Sequence, residues 1–177
     1  MNHKLALAAL AACTLGSSVA ARAGYERTLW GMSLNDVQKE YGSDGFERDS
    51  QAGHSYLVVR TVAHRTAVIA FFFKNGTFSP RAPYGGLAEV AVTFPREGEA
   101  IPRTIGELPR ESPGKLAQTQ RRIGKLLEAK YGPATQVGAD QVWQATDGTV
   151  VAFKVRDDLA TIVYEPKDDN FDLYLGL

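Results

Sequence analysis

Cysteine is nearly missing from this chain of 177 residues, in which Cys13 is the single one. The first 23 residues have the form of a secretory signal peptide, with the basic Lys4, an apolar run over residues 5–12, and Ala21-Arg22-Ala23 before Gly24. Cleavage between Ala23 and Gly24 leaves a chain without thiols, which excludes disulfide bonds. An exported domain without disulfides is more typical of a bacterial periplasm than of a eukaryotic extracellular space.

Long apolar runs and an excess of charge of one sign are also missing. No segment reaches about 18 consecutive apolar residues, which is the length needed to cross a bilayer. Basic and acidic residues number 20 each, and loss of the signal peptide removes Lys4 and Arg22, which leaves a formal charge of −2. These absences predict a periplasmic or secreted protein without a transmembrane segment. They give no support for nucleic acid or a polybasic membrane contact.

The segment Leu10-Ala11-Ala12-Cys13 has a second interpretation, because it resembles the lipobox of bacterial lipoproteins, whose cysteine is acylated and becomes the first residue. Only twelve residues precede Cys13, which is short for that class, whereas the site after Ala23 lies at an ordinary distance. A lipid anchor at Cys13 is therefore the alternative to a free exported chain.

Histidine is scarce as well, and the mature chain retains only His54 and His64. They lie at opposite ends of one expected strand, roughly 30 Å apart at about 3.3 Å per residue, so they cannot share a metal ion. Both are expected at the surface or in a turn. The acidic segment Asp168–Asp172 lacks the glycine and the distal glutamate of a calcium-binding loop. The sequence therefore predicts no metal site and no cofactor.

Motifs for catalysis are missing too. There is no Gly-x-Ser-x-Gly elbow, Ser33 and Ser112 are placed to cap helices, and the glycines form no phosphate-binding fingerprint. We therefore expect that the chain is not an enzyme, and no residue is assigned a catalytic role. An envelope hydrolase with a site assembled from distant residues is the alternative from the enzyme class.

Two helices are present in the pattern. Ser33 caps the first helix, which ends at Tyr41-Gly42, whereas Ser112 and Pro113 begin the second, which ends at Gly132-Pro133. The second helix has one apolar side, formed by Leu116, Ile123, Leu126, Leu127 and Tyr131.

Patterns with a period of two residues follow each helix and are rich in β-branched and aromatic side chains. They predict strands near residues 55–60, 67–73, 87–94, 141–145, 150–155 and 159–165. We expect one α+β domain over residues 24–177, with two helices packed on a mostly antiparallel sheet. The run Phe71-Phe72-Phe73 and the tryptophans Trp30 and Trp143 are assigned to the core, with a binding surface as the alternative.

The two halves of this domain resemble each other. Leu87–Val92 aligns with Leu159–Tyr164, and each is preceded by an apolar strand and, further back, by a helix that ends in Tyr-Gly. This similarity predicts a tandem helix-plus-meander duplication, with repeats over about residues 30–95 and 112–166. Chance similarity between apolar strands is the alternative.

Against that alignment the first half carries two extra segments rich in proline, glycine and arginine, Thr77–Gly86 and Pro95–Glu111. The second, called the connector below, repeats Pro-Arg every seven residues. Its length is typical of a functional or a disordered loop. Arginine offers a planar charged fork to carboxylates and phosphates. The predicted binding contacts in the two segments are Arg81, Tyr84, Arg103 and Arg110.

The connector has two other interpretations. Its glutamates nearly neutralise its arginines, as in a solvated linker with internal salt bridges. Alternatively, Ile101, Ile105 and Leu108 are spaced so that they could form one apolar turn against the core or a partner.

Gly31-Met32-Ser33 followed by Val37, with later strands that read Val-Ala-Phe-Lys-Val and Leu-Ala-Thr-Ile-Val-Tyr, is similar to small envelope proteins of the SmpA/OmlA type. The pattern resembles, more distantly, the secreted beta-lactamase inhibitory proteins. These families share a short helix opened by Gly-Met-Thr or Gly-Met-Ser and a helix-plus-meander layout, which is duplicated in the inhibitors. SmpA/OmlA-type proteins are lipoproteins that help outer-membrane barrel assembly. The resemblance implies a binding role in the cell envelope and supplies no contact residues.

Together these patterns predict an exported, non-catalytic protein that binds an envelope protein or a peptide through its two Pro/Arg segments. The alternatives are a lipid-anchored outer-membrane assembly factor, which requires that Cys13 survives processing, and the envelope hydrolase.

Overall fold

The computed structural model describes residues 25–50, 53–74, 86–101 and 107–167, which form two helices and one eight-stranded antiparallel sheet. The elements are α1 (Leu34–Tyr41), β1 (Phe46–Ser50), β2 (Gly53–Val62), β3 (Arg65–Lys74), β4 (Gly86–Phe94), α2 (Pro113–Tyr131), β5 (Thr135–Val137), β6 (Asp140–Gln144), β7 (Thr149–Arg156) and β8 (Leu159–Pro166). The predicted α+β class is confirmed. In these ranges no helix combines the length and the apolar character needed to cross a membrane.

Both helices begin and end at the predicted residues, although the second lacks the predicted capping hydrogen bond. The Ser33 hydroxyl accepts a hydrogen bond from the Asp36 backbone N–H at 3.3 Å and so caps α1. At α2 the Ser112 side chain makes no capping hydrogen bond. Instead the Glu111 carboxylate accepts from the Ser112 N–H at 3.2 Å, and this negative charge favours the positive end of the helix dipole.

The sheet has the strand order β1-β2-β3-β4-β8-β7-β6-β5, so each half of the chain forms a helix followed by a four-stranded meander. The two meanders meet where β4 pairs antiparallel with β8, with Val90 opposite Tyr164 and Phe94 opposite Ala160. The six predicted strands are all present. The two edge strands, β1 and β5, were not predicted because their sequences, FERDS and TQV, carry no apolar alternation.

Both helices pack on one face of the sheet, called the helix face. Phe71 lies at its centre, fully buried, and its ring is 4.7 Å from that of Tyr41. Trp143 is buried and donates its indole N–H to the Gly132 carbonyl at 2.9 Å, while Trp30 is half-buried against the same cluster. The core assignment is confirmed for Phe71, Phe73 and Trp143, whereas Trp30 and Phe72 are only half-buried. The prediction that Leu126 lies on the buried apolar side of α2 is wrong, because Leu126 is 48% exposed.

The opposite face, called the second face, is also apolar in its N-terminal half. Leu57, Val68 and Ala70 are buried there together with Leu108 of the connector, and Ile101 and Phe72 pack against the same cluster. Ile101 and Leu108 of the connector therefore pack against the core, as one interpretation of the connector predicts, whereas Ile105 and the turn itself lie outside the described residues. Because β3 is covered on both faces, it reads as a continuous apolar run.

One histidine assignment is corrected by the fold. His54 is 4% exposed, because the unpredicted strand β1 pairs with β2 beside it, and its ring lies 6.2 Å from that of Phe73. His64 is exposed in the β2–β3 turn, as expected.

Candidate binding site

The predicted contact residues are described only at Arg110. Arg81, Tyr84 and Arg103 lie outside the described residues, as do Cys13 and the cleavage site between Ala23 and Gly24. Arg110 is exposed at the end of the connector and donates a hydrogen bond to the Asp157 carbonyl at 2.6 Å. This bond joins the connector to the β7–β8 turn. The predicted contact role of Arg110 stays a prediction.

The two ends of the connector are fixed next to each other. The Arg96 N–H donates to the Pro109 carbonyl at 2.8 Å, and the Glu111 N–H donates to the Asp158 carbonyl at 3.1 Å. Asp158 lies in a tight hairpin turn with φ of 60°. The connector therefore leaves and rejoins the sheet at one place, close to the β7–β8 turn and the start of α2.

Arg65 joins the two ends of the connector to β3 and α2. It opens β3 and is only 8% exposed. One guanidinium nitrogen, Nη2, donates to the Pro95 carbonyl at 3.2 Å and to Glu111 Oε2 at 3.0 Å, while Nη1 donates to the Thr119 hydroxyl of α2. A single buried side chain thus joins β3, both ends of the connector and α2.

Sequence reasoning missed this cluster. The sequence patterns assign no role to Arg65, and Glu111 is one of the connector glutamates that the solvated-linker interpretation places in solvent. The only signal available was a charged residue at the first position of an apolar strand, and its partner Glu111 is 46 positions away in sequence. No local pattern pairs residues at such a separation.

A cleft of about 170 Å³ opens beside this cluster. Its wall contains the buried groups Arg65, Glu111 and Thr119, together with Ile123. Exposed charged and polar groups complete the lining: Lys115, Gln118 and Arg122 from α2, and Glu97 from the connector. Arg65 and Glu111 form a buried ion pair, so their charges cancel. The remaining charged residues of the cleft are Lys115, Arg122 and Glu97, which together carry a net positive charge. The cleft is therefore suited to an anionic group.

A second cleft, of about 260 Å³, lies between the start of the described chain, α1 and β2. Its charged residues are two acidic and two basic: Glu26, Glu40, Arg27 and Arg60. Arg60 forms an ion pair with Asp44 at 3.0 Å. Because Asp44 compensates Arg60, the two glutamates outnumber Arg27, and this second cleft is not suited to an anionic group.

Three tyrosines of the helix face keep their hydroxyl protons at ordinary pH and do not act as acids there. Burial raises the pKa of Tyr25, Tyr41 and Tyr164 well above the usual value, and the nearby Glu26 carboxylate acts in the same direction. The Tyr25 and Tyr164 rings lie 4.7 Å apart within the core. These hydroxyls therefore serve packing and hydrogen bonding. Over the described ranges no group of three or more His, Cys, Asp or Glu side chains is placed to hold a metal ion.

Glu89 is a half-buried carboxyl on the second face, on the central strand β4 opposite Phe72 of β3. Burial raises its pKa, and the Glu165 carboxylate of β8 raises it further, while Lys154 and Lys74 act in the opposite direction. The charged form of Glu89 is thus disfavoured in the folded chain.

We predict that Glu89→Gln stabilises the protein at about pH 7 and leaves its stability unchanged at about pH 3.5. An acid with a higher pKa in the folded than in the unfolded chain binds more protons when folded, so stability falls as the pH rises above the unfolded value near 4.5. Glutamine keeps the shape of the side chain and removes this dependence. Thermal unfolding at a series of pH values measures the difference, and a gain that is equal at both ends of the series would contradict the assignment.

The fold and the cleft together define an α+β protein built on one eight-stranded antiparallel sheet, with a basic cleft beside a connector that is closed at its base. The chain matches no protein-family model, no curated protein and no solved structure. The resemblance to envelope proteins of the SmpA/OmlA type stays a prediction.

Proposed function

We propose that this chain is an exported, non-catalytic binding protein of the bacterial envelope, which holds another protein or a peptide at the connector and the adjoining cleft. The proposal of export depends on the signal peptide in residues 1–23. The proposal of binding depends on the connector. Its two ends are fixed at Pro95 and Glu111, whereas its residues 96–100 and 107 are exposed.

The observation that carries the binding role is the buried cluster around Arg65. It fixes Pro95 and Glu111, at the two ends of the connector, to the same guanidinium. Loops that a rigid scaffold holds in place are where binding residues concentrate. A loop with fixed ends also loses less conformational entropy when it binds, which leaves more of the contact energy for affinity.

The exposed side chains of the connector supply the contacts. Arg96 and Glu99 form an exposed ion pair at 3.8 Å, and Glu97 and Arg110 are exposed beside it. An exposed pair of this kind contributes about 0–1 kcal/mol to stability, so a partner can replace it at little cost. Removing the whole connector is not an informative test, because its residues Leu108 and Glu111 are buried and hold the fold.

The binding test replaces two exposed arginines of the connector. The mature chain, immobilised from Gly24 onward, is used to capture proteins from an envelope extract, and captured proteins are identified by mass spectrometry. We expect Arg96→Ser with Arg110→Ser to lower the yield of specific partners at least about fivefold, because each lost guanidinium removes a charge-assisted contact. Thermal unfolding checks that the variant is folded.

The matched control is Arg48→Ser, an exposed arginine on the edge strand β1 and outside the connector sequence. It should capture as well as the unmodified chain. Undiminished capture by the connector variant, or an equal loss in the control, would reject the connector as the binding region.

A further inference from the structure

Helix α2 concentrates positive charge, whereas the mature chain as a whole is slightly acidic. The helix carries five basic residues and one acidic residue, and all six are exposed: Lys115, Arg121, Arg122, Lys125, Lys130 and Glu128. The mature chain has a formal charge of −2, so the remainder of the molecule is clearly negative. A local excess of this size is a directional feature of the surface.

Four exposed polar residues of α2 lie on one side of the helix. Lys115, Gln118, Arg122 and Lys125 are separated by three, four and three positions, which places them along one flank. We call these four residues the basic flank. From Lys115 to Lys125 it extends about 15 Å at 1.5 Å per residue.

The basic flank is continuous with the cleft beside the connector. Its first three residues, Lys115, Gln118 and Arg122, line the cleft, and Arg65 lies in the cleft wall. The Arg65 side chain is 91% buried, and its Nε makes no hydrogen bond among the described residues. The flank therefore combines an exposed row of cations with a concave, electropositive end.

We propose that the basic flank and the cleft bind an acidic peptide segment of the protein partner, with one carboxylate in the cleft and a second near Lys125. The proposal rests on the binding function above and names the chemistry of the partner. An extended peptide covers the 15 Å of the flank with about five residues at 3.3 Å each. Acidic side chains four positions apart lie on the same face of such a peptide, about 13 Å apart, and would then face Lys115 and Lys125.

The shape and composition of the surface favour a peptide over an anionic membrane. A carboxylate can enter the concave end, whereas a flat bilayer would meet the exposed Glu97 at the mouth. Leu126 is the only large hydrophobic side chain of α2 that is exposed, and one leucine supplies little apolar area to a bilayer. Stable membrane binding needs a larger apolar face or a second anchor.

The probe is a fluorescein-labelled peptide of sequence Gly-Glu-Glu-Leu-Glu-Glu-Gly, and binding to the mature chain is followed by fluorescence anisotropy at about 50 mM and about 300 mM NaCl. We expect binding that weakens with salt, because exposed charges are screened within about 10 Å at 0.1 M ionic strength. Lys115→Gln with Arg122→Gln should weaken binding about tenfold or more. The corresponding peptide with lysine in place of glutamate should not bind.

The control removes two exposed positive charges elsewhere, with Lys39→Gln in α1 and Arg48→Gln in β1. It should change the affinity less than twofold. An equal loss in both double variants would show that net charge alone attracts the peptide and would overturn the site. Vesicles of phosphatidylglycerol that bind through Lys115 and Arg122, with no binding of the peptide, would overturn it in favour of a membrane.

This test can fail separately from the test of the connector. Capture that depends on Arg96 and Arg110, together with no binding of the acidic peptide, would overturn only the assignment of the basic flank. Binding of the peptide that depends on Lys115 and Arg122, with capture unaffected by the connector variant, would retain the flank and reject the connector.

Discussion

Replacing Glu111 by alanine is expected to lower the free energy of unfolding by about 3–5 kcal/mol. The side chains of Arg65 and Glu111 are 9% and 3% exposed, and their charged atoms lie 3.0 Å apart. Alanine would leave the buried Arg65 guanidinium without its counter-charge, and water could not solvate it fully. The Ser112 N–H would also lose its acceptor at the start of α2. Equilibrium unfolding in urea measures the effect.

A double variant separates the cost of an unpaired charge from the net contribution of the ion pair. Arg65→Met with Glu111→Leu removes both charges and keeps much of the volume, so we expect it to recover most of the stability lost in the single variant. If Glu111→Ala costs less than about 1 kcal/mol, the pair is hydrated in solution and does not hold the connector in place. The proposed rigid base of the connector would then be wrong.

The second large effect is expected at Phe71, where alanine should destabilise the protein by about 3–5 kcal/mol. Phe71 is fully buried on the helix face, with the rings of Tyr25, Tyr41 and Tyr56 between 4.7 and 6.5 Å away. The ring of Phe71 therefore contacts both Tyr41, at the end of α1, and Tyr25, in the N-terminal segment. Removal of the ring leaves a cavity that the surrounding strands cannot close.

Phe72 is the matched control because it is the same residue type on the same strand with its side chain on the second face. It is only half-buried, so Phe72→Ala should cost about 1–2 kcal/mol, in proportion to the smaller area removed from water. Urea unfolding of both variants measures the difference. Equal losses would mean that the second face is covered as completely as the helix face.

These stability effects bear on the proposed function through the connector. The same Arg65 cluster that stabilises the fold places the connector next to the basic flank of α2, and the two proposed contact regions therefore share one structural support. Variants that break the cluster should lose binding as well as stability. Variants of Arg96, Arg110, Lys115 or Arg122 should lose binding alone, since those side chains are exposed.

The sequence determined the elements whose signals are local. Helix α1 begins after Ser33 and ends before Gly42 because a capping hydroxyl and a glycine with φ of 90° act within a few residues of the helix ends. The central strands follow from their own alternation or from unbroken apolar runs. The aromatic assignment of Trp143 to the core follows from its place in such a strand.

The tertiary structure decided what depends on contacts between distant segments. Strands β1 and β5 exist because β2 and β6 pair with them, and their own residues carry little β pattern. For the same reason His54 is buried, although its neighbours in sequence suggested a surface position. Which face of β3 receives Phe71 and which receives Phe72 depends on the register of the whole sheet.

The candidate site belongs almost entirely to this second group. The sequence predicts the connector and Arg110 as a binding region, through composition and length, and that prediction stays open. It could not pair Arg65 with Glu111, 46 positions away, or place both beside Thr119 of α2. Charge on a helix is readable from sequence, but a cleft is a property of the space between elements, and only the packing of β3, the connector and α2 creates that space.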